Sequence, residues 1–520
     1  MVLFPILLLF IATLLIWILR TKHPRIHWFI VSFGAFLAWV ATYLLVDQLP
    51  MNLEFSIWQP KELFSTPLIL SMDDVAWPLV MGISGVLLII SLTSPARDFM
   101  VTARERVSVL IYTSLCLVAV LAGNVLSVVT AWMLMDVFIF VLSIRESDSG
   151  SRDASFLWWF GKNLIAIVLL ILAAVINISL EGDTPIYSQV STTTAVIIIF
   201  SSLIRMPFPV ISQHAEGIGW VDPGNKSTLD LFPMLTGIAV IARVLDVANL
   251  EEGIVWFYLI GSLLILGSLI QMIFYTHEKY SILFLNLGVM GIGILLASYG
   301  EIRAGILISA IGVIILGLNA WIKFLSIYER WHYVVLILLT AILAGLTGSP
   351  GGVLSHAAVK GFLNPGSIGI DLFIGIGMGL LGVLFFSLFF KQTEKWKSAE
   401  NLTITSYSLA LMLFASNMFL IGFKMNPGHS VAGILFFLSV SLFIGIILYC
   451  AFRIGFQLPV KFTRRLKVPV VIPKLDFLRV IGEGLINVIS TAGKIFEGET
   501  GLLWAFVILL LLILTLGGIW

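Results

Sequence analysis

Five ionisable side chains lie inside long apolar segments of this 520-residue chain: Asp136, Lys162, Arg205, Lys279 and His356. A charge at the centre of a bilayer costs at least about 2.5–3.5 kcal/mol, so residues of this kind are typical of ion pathways and proton relays. Asp136 has no basic residue within four positions along the chain. We therefore predict that it pairs with Arg205 from a neighbouring helix, because one ion pair would compensate both charges.

Two of these residues have a second interpretation. Lys279 lies near the start of a predicted helix, from which its flexible side chain could extend to the inner membrane interface. His356 follows a predicted helix break, where a lone histidine is as typical of a hydrogen-bonded core as of a proton carrier. The candidate ion-translocation residues are therefore Asp136, Arg205, His356 and Lys279.

The composition indicates a membrane protein. Hydrophobic residues make up 59% of the chain and charged residues 11%, with a mean hydropathy of +1.07. Soluble domains contain about 25% charged residues, so this chain has too few charges to cover a water-facing surface. We predict a multi-pass protein of the cell (inner) membrane. The net charge of +1 argues against a nucleic-acid partner, because a phosphate backbone requires a basic binding surface.

Apolar segments predict an all-α polytopic protein with about sixteen transmembrane helices, since a crossing needs about 20 apolar residues. Their approximate bounds are 3–20, 27–47, 74–93, 106–122, 125–144, 157–179, 190–210, 229–248, 254–275, 281–299, 304–325, 333–349, 367–390, 403–423, 430–452 and 501–520. The amino terminus lacks the basic region and the small-residue cleavage site of a signal peptide, so we expect the first helix to be retained.

Predicted helices 7 and 12 are broken. Proline and glycine clusters interrupt them at 205–209 and at 345–352. Such clusters are tolerated at membrane depth only where protein or water surrounds the freed backbone groups. Broken helices in two places are typical of a transport path.

Basic residues predict the orientation. They cluster after predicted helices 1, 3, 13 and 15, and these four clusters fall on one side of the membrane: Arg20, Lys22 and Arg25; Arg97, Arg104 and Arg106; Lys391, Lys395 and Lys397; Lys461, Arg464, Arg465, Lys467, Lys474 and Arg479. The positive-inside rule makes this side cytoplasmic and both termini external.

The segment 474–499 has apolar residues at helical spacing with charges between them. This pattern favours a helix on the membrane surface or against a partner subunit; a solvated connector is the alternative.

The placement of these features predicts two repeats. Helices 4–8 carry an acid on the second helix and a base at a break on the fourth, and helices 9–13 carry ionisable groups at the corresponding helices. Two five-helix units in series are inverted in the membrane because five is odd. The predicted divisions are 1–100 (helices 1–3), 101–250 (first repeat), 251–392 (second repeat), 393–456 (additional helices) and 457–520 (amphipathic segment and last helix).

Four segments carry a resemblance to a known family: 69–80, 122–136, 204–211 and 345–356. With them the chain resembles the antiporter-like membrane subunits of respiratory complex I (NADH:quinone oxidoreductase) and of the multisubunit Na+/H+ (Mrp) antiporters, over about residues 65–365. In that family, two inverted five-helix bundles form a hydrated polar axis at mid-membrane, along which a glutamate–lysine pair and further lysines or histidines pass protons.

The resemblance implies a role for each candidate residue. Asp136 stands where the family has its glutamate, Arg205 where it has a lysine, and His356 where it has the terminal lysine of the broken twelfth helix. Lys279 falls near the lysine of the tenth helix. The implied partners are other membrane subunits, the lipid bilayer, and protons or Na+.

The chain also departs from the family. Arginine does not lose its proton in proteins, so Arg205 can keep Asp136 ionised but cannot relay a proton. The polar motifs of the family's eighth and eleventh helices are replaced by apolar segments at 231–235 and 308–314. Two hypotheses therefore remain: a subunit that translocates or couples ions, and a divergent scaffold subunit that has lost transport.

The sequence does not favour a redox enzyme. It has no dinucleotide-binding glycine motif after a strand, no cysteine set for an iron–sulfur cluster and no histidine pair for haem, so we expect no cofactor. Cys116 and Cys450 lie in apolar segments as small hydrophobic residues. The glycines at 375–379 are interpreted as a helix-packing motif. Any electron transfer would belong to partner subunits.

Overall fold

The computed structural model describes residues 1–55, 67–94, 102–146, 154–181, 190–206, 223–248, 250–274, 278–299, 302–320, 349–363, 368–389, 401–425 and 439–448. The chain divides into two compact units, Met1–Gly455 and Phe456–Trp520. The second unit, with the amphipathic segment 474–499 and predicted helix 16, lies outside the described residues. The first half of predicted helix 12 and Cys450 lie outside them as well.

The described residues are predominantly helical, as predicted. The α-helices are α1 (Phe4–Ile18), α2 (Pro24–Leu44), α3 (Ala76–Thr93), α4 (Ala103–Leu121), α5 (Val125–Glu146), α6 (Ala154–Glu181), α7 (Thr192–Arg205), α8 (Pro223–Val247), α9 (Leu250–Phe274), α10 (Glu278–Ala297), α11 (Ala304–Ala320), α12 (Pro350–Leu363), α13 (Ile368–Phe389), α14 (Asn401–Met425) and α15 (Ser439–Leu448). Among these residues five helices are long and apolar enough to cross a membrane, and seven shorter helices are apolar.

Side-chain caps explain why several helices begin where they do. Thr102 accepts a hydrogen bond from the Glu105 N–H at the start of α4, and Asn124 accepts one from the Ser127 N–H at the start of α5. Asp73 accepts from the Ala76 N–H before α3, and Ser191 accepts from the Thr194 N–H before α7. These side chains satisfy N–H groups that have no partner within the first turn of a helix.

Two helix boundaries coincide with the predicted breaks. Helix α7 ends at Arg205, where the proline-containing segment begins, and Met206 has extended backbone dihedrals. Helix α12 begins at Pro350, inside the predicted glycine and proline cluster. Proline fits the first turn of a helix because the N–H that it lacks has no partner there.

A two-stranded antiparallel sheet was not predicted from the sequence. Strand β1 (Met51–Phe55) pairs with β2 (Leu68–Met72), with Met51 opposite Met72. The Ile69 N–H donates to Ser127 Oγ at 2.8 Å, and the Gly123 N–H donates to the Ile69 carbonyl at 2.7 Å. These hydrogen bonds attach the hairpin to the α4–α5 connection. They join residues far apart in the chain, so local hydropathy does not predict them.

Helices α3 and α11 form the centre of the first unit. Helix α3 packs against α2, α4, α8, α11 and α14, and all of its residues are buried. Helix α11 packs against α3, α8, α10, α12 and α14.

Buried hydroxyl groups in α3 donate to carbonyls one turn earlier, as Ser84 does to Val80 and Thr93 to Ile89. These hydrogen bonds give the buried hydroxyl groups a partner within their own helix.

Helices 4–8 and 9–13 share a pattern of contacts. Each helix of α4–α8 packs against the next, and α4 closes the set by packing against α8. In the same way each helix of α9–α13 packs against the next, and α9 packs against α13. The two sets meet where α8 packs against α11 and where α7 packs against α9.

Helix ends that the sequence predicts on the external side lie together. Arg243 of α8 donates to the carbonyl of Ala122, which follows α4, and to the Ser71 carbonyl of β2 at 2.7 Å. Arg303, which precedes α11, contacts the Asp246 carboxylate through Nε at 2.8 Å and through Nη2 at 2.6 Å. These contacts agree with the alternating direction predicted for helices 3, 4, 8 and 11.

Candidate functional site

The predicted contact between Asp136 and Arg205 is present. Arg205 Nη1 donates to Asp136 Oδ2 at 2.9 Å, and Nη2 donates to Oδ1 at 2.8 Å. Asp136 lies in the middle of α5 and Arg205 is the last residue of α7, so the pair spans two helices at the break. This two-bond geometry is the strongest that a guanidinium and a carboxylate form.

Two further side chains complete the surroundings of the ion pair. The Arg205 guanidinium carbon lies 4.5 Å from the centre of the Trp132 ring, one turn before Asp136 on α5. A cation over an aromatic face is stabilised by the negative charge density of the ring. From α6, Asn163 Nδ2 donates to Asp136 Oδ1 at 3.3 Å. The carboxylate thus accepts hydrogen bonds from both neighbouring helices.

Lys162, next to Asn163 on α6, binds the end of the broken helix. Its Nζ donates to the Met206 carbonyl at 3.0 Å and lies 3.5 Å from the Arg205 carbonyl oxygen. The last carbonyls of a helix lack partners within the helix and carry partial negative charge, so a lysine there stabilises the helix end. Lys162 therefore supports the backbone position of the residue that pairs with Asp136.

We refer to Asp136, Lys162, Asn163, Arg205 and Trp132 as the Asp136 cluster. Its ionisable members are 3% (Asp136), 6% (Lys162) and 1% (Arg205) exposed, and both other side chains are fully buried. The cluster therefore places one carboxylate and two basic side chains in an apolar bundle. Of these two, arginine keeps its proton, whereas a lysine ammonium is able to release one.

The other two candidate residues lie in the second five-helix set. His356 is a half-buried residue of α12, which packs against α10, α11, α13 and α14. Lys279 is the second residue of α10, and its side chain lies outside the described part of the structure. The Asp136 cluster is formed by α5, α6 and α7. Of the four candidate residues, the structure therefore brings Asp136 and Arg205 into direct contact.

The second set contains a related polar contact that the sequence did not reveal. Asn319 of α11 donates from Nδ2 to Asn286 Oδ1 of α10 at 3.2 Å, and both residues are buried. This contact joins α10 and α11, the second and third helices of their set. The Asn163–Asp136 bond likewise joins α5 and α6, the second and third helices of the first set. In the sequence, this contact corresponds to one isolated asparagine in each of two apolar helices. Because asparagine is uncharged, neither residue stands out as a candidate for an ion pathway.

Arg243, Asp246 and Arg303 were also not among the predicted site residues. They lie at helix ends, where charged residues are expected at the membrane interface. Their contacts join the ends of α4, α8 and α11 to the hairpin, which is a structural role. Hydrogen bonding to Asp246 raises the pKa of Arg303 above its already high ordinary value, so this bridge keeps its charge.

Comparison with solved structures identifies chains of the same fold. The structure of the Mrp complex from Dietzia sp. DQ12-45-1b contains a chain that matches with a TM-score of 0.67 and 15% identity over 99% of this chain. Respiratory complex I from Thermus thermophilus with bound NADH matches with a TM-score of 0.60 and 14% identity, over 86% of this chain and all of the other. The membrane-bound sulfane sulfur reductase, an archaeal respiratory membrane complex, matches with a TM-score of 0.58 and 14% identity over 99% of both chains.

The chain spans 62% of the length of the Mrp-complex chain that it matches. Neither a protein-family model nor a curated protein sequence matches it. At 14–15% identity the structural likeness establishes the fold, which is the one expected from the four sequence segments. The chain therefore has the fold of the antiporter-like subunits of Mrp and complex I-type membrane assemblies.

Proposed function

We propose that this protein is a membrane subunit of a complex I-like or Mrp antiporter-like assembly that translocates or couples protons (or Na+) along a mid-membrane polar axis. Asp136 and Arg205 belong to this axis in the first five-helix unit, and Lys279 and His356 belong to it in the second. The observation that carries the proposal is the buried Asp136 cluster at the end of the broken helix α7.

The cost of this cluster argues for a function. Replacing a buried ion pair with apolar residues of similar volume is often neutral or stabilising by about 1–4 kcal/mol. The chain instead keeps three ionisable side chains that are at most 6% exposed. Trp132 Nε1, Asn163 Oδ1 and Arg205 Nε also have no hydrogen-bond partner among the described residues. Buried polar atoms of this kind are expected where water or an ion enters a site.

The contacts of the helices support the proposed repeats. The two five-helix sets close in the same way, first helix against fifth, and each has a polar contact between its second and third helices. We propose that they are the inverted units at 101–250 and 251–392, with helices 1–3 before them and further helices after them. Inversion places the two polar contacts at corresponding depths from opposite membrane faces.

A scaffold subunit without transport is the second candidate. Two observations favour it: Arg205 cannot release a proton, and the second unit has an uncharged Asn286–Asn319 pair where the first has a carboxylate. In this case the fold would hold neighbouring subunits together and the Asp136 cluster would be a remnant.

Ion flux in membrane vesicles distinguishes the two candidates. The full chain is expressed with its natural partner subunits in its native host, and H+ movement is followed with a pH-sensitive dye under an imposed potential. Asp136→Asn is compared with Asp246→Asn, which removes the charge from a second Arg–Asp pair outside the cluster. We expect flux to fall by at least about tenfold in D136N and to persist in D246N.

Assembly is measured on the same membranes, by the size of the complex that co-purifies with the tagged chain in mild detergent. Equal assembly of both variants, with flux lost in D136N alone, supports transport through the cluster. Equal flux in D136N and wild type, with assembly unchanged, contradicts transport and favours the scaffold.

A further inference from the structure

A short turn, residues 19–23, joins the end of α1 to the start of α2. We refer to it as the α1–α2 turn. The imidazole of His27, which is 3% exposed, donates from Nε2 to the Leu19 carbonyl at 2.8 Å. The Lys22 N–H donates to the same carbonyl, also at 2.8 Å. Because donors from both sides of the connection converge on one carbonyl, the turn is held in one conformation.

Positive charge dominates the surface at this turn. Arg20, Lys22 and Arg25 are exposed, and the chain has no acidic residue before Asp47. In the part of the chain that the structure describes, the side chains of Arg20 and Lys22 form no hydrogen bond or ion pair. These two charges therefore favour an anionic partner from outside the described chain.

The helices on both sides of the turn have exposed apolar faces. Trp17 and Ile18, in the last turn of α1, are 61% and 66% exposed. On α2, Phe29 and Phe33 are 62% and 50% exposed, and their rings stack with centroids 5.8 Å apart. In a membrane protein such faces meet acyl chains, and a tryptophan at a helix end is typical of the headgroup level. The turn is therefore expected at the level of the lipid phosphate groups.

Other basic residues lack this combination of features. Arg205 and Arg243 are buried and are compensated within the chain, by the Asp136 carboxylate and by main-chain carbonyls. Lys424, in the last turn of α14, is exposed and follows Phe423, which is 66% exposed, but it is a single charge. The α1–α2 turn combines two uncompensated charges with exposed apolar faces on both adjoining helices.

An anionic phospholipid matches both features with one molecule. Its phosphate group accepts hydrogen bonds from bases such as Arg20 and Lys22, and its acyl chains are apolar. An acidic segment of a partner subunit would match the charges, but it would leave the faces of α1 and α2 without an apolar cover. The cytoplasmic leaflet also has a negative surface potential, and the basic clusters predict that this turn is cytoplasmic.

We infer that the α1–α2 turn is a binding site for an anionic phospholipid, whose headgroup phosphate contacts Arg20 and Lys22. The acyl chains of this lipid lie along the exposed faces of α1 and α2, beside Trp17 and Phe29. Binding of this kind does not depend on ion translocation by the Asp136 cluster.

Photo-crosslinking in nanodiscs tests this site. The full chain with its natural partner subunits is placed in phosphatidylcholine nanodiscs that contain a trace of photoreactive phosphatidylglycerol. A parallel sample contains photoreactive phosphatidylcholine instead. Mass spectrometry then gives the ratio of phosphatidylglycerol to phosphatidylcholine crosslinks on residues 1–46.

The variant Arg20→Gln with Lys22→Gln is compared with wild type and with Lys424→Gln, which removes a lone exposed base. Each base near an anionic lipid surface contributes roughly fivefold to binding, so we expect the ratio to fall by at least about tenfold in R20Q/K22Q and to stay within about twofold of wild type in K424Q. High salt should lower the wild-type ratio, because ions screen exposed charges.

A charge-conserving variant separates charge from the conformation of the turn. Arg20→Lys with Lys22→Arg keeps two cations at the same positions, so we expect it to retain the preference for phosphatidylglycerol. Loss of the preference in R20K/K22R would contradict recognition by charge.

Three further outcomes would overturn the inference. An unchanged ratio in R20Q/K22Q would show that these bases do not select the headgroup. Equal crosslinking of both probes in wild type would show that the apolar faces accept any lipid. Crosslinks on the purified chain that disappear in the complete assembly would show that a partner subunit covers the turn. Ion flux enters none of these measurements, so a failure of the proposed transport function is detected separately.

Discussion

At the scale of single residues, the Asp136–Arg205 pair is a prediction that the structure confirms. The prediction needed only the absence of a nearby basic residue on α5 and the presence of a charge at the break of α7. The two-bond geometry, the Trp132 ring and the Asn163 amide are additions of the structure. Together they surround Arg205, which is 1% exposed, and the Asp136 carboxylate compensates its charge.

We predict that Asp136→Asn destabilises the protein more than Asp246→Asn. Removing one partner of a buried pair costs about 3–5 kcal/mol because the other charge is left buried. The Asp246 side chain is 9% exposed, but that of its partner Arg303 is 51% exposed. Solvent therefore reaches the charge that D246N leaves unpaired, and the cost is smaller. The measurement is the apparent melting temperature of the purified chain in detergent.

A double variant separates charge from packing. Asp136→Leu with Arg205→Met removes both charges and keeps apolar volume, so it should recover most of the stability lost in D136N. A D136N melting temperature equal to that of D246N would mean that Arg205 finds another counter-charge.

At the scale of elements, glycines set the distance between helices. Helices α9 and α10 approach closely where Gly261 and Gly291 face each other: a Cβ added at Gly291 would lie 2.7 Å from the Gly261 carbonyl oxygen. Small residues permit such approaches in membrane bundles, where van der Waals contact replaces the hydrophobic effect. The glycines at 375–379 have a similar role, since Gly377 lies against Ile292 and Gly379 against Ile444.

We predict that Gly291→Ala destabilises the α9–α10 pair, whereas Gly267→Ala on α9 does not. A Cβ at Gly267 meets nothing within 4 Å, and alanine favours a helix by about 1 kcal/mol relative to glycine. At Gly291 the added carbon meets backbone, which cannot rotate away. Apparent melting temperatures in detergent should therefore fall for G291A and stay level or rise for G267A. The reverse order would mean that the two helices are not in this contact.

At the scale of the whole molecule, exposed apolar side chains form the outer faces of helices whose other faces are buried. On α5, Met133, Val137 and Val141 are about half exposed, while Trp132 and Asp136 face inward. Apolar outer faces and the structural neighbours support a membrane location. The C-terminal ends of α4 and α8 and the N-terminal end of α11 lie together, so these three ends are on one side of the bundle.

We predict that the hairpin is external and the α1–α2 connection cytoplasmic. Arg20 and Glu54 are exposed and lie on either side of α2. In a chain with Cys116→Ser and Cys450→Ser, a membrane-impermeant maleimide should label Glu54→Cys in intact cells. It should label Arg20→Cys only after permeabilisation. Labelling in the opposite order would show that the basic clusters are outside, contrary to the positive-inside rule.

The sequence by itself determined where most described helices lie, where two of them are interrupted, and that Asp136 needs a cation. These follow from local properties: the length of apolar segments, the backbone restrictions of proline and glycine, and the cost of a charge in lipid. Only the tertiary structure decided which helices are central. Helices α3 and α5 are both apolar, yet α3 is entirely buried and α5 less than half, because lipid and protein interior are equally apolar and hydropathy does not separate them.

Tertiary packing also decides which residues meet in the Asp136 cluster. Whether Lys162 reaches the carbonyls of Arg205 and Met206, and whether Asn319 meets Asn286, depends on the rotation of each helix about its axis. That rotation is chosen by packing between segments far apart in the chain, as is the attachment of the hairpin to the α4–α5 connection. Local sequence therefore marks the residues that are able to carry charge, and tertiary packing decides which of them meet.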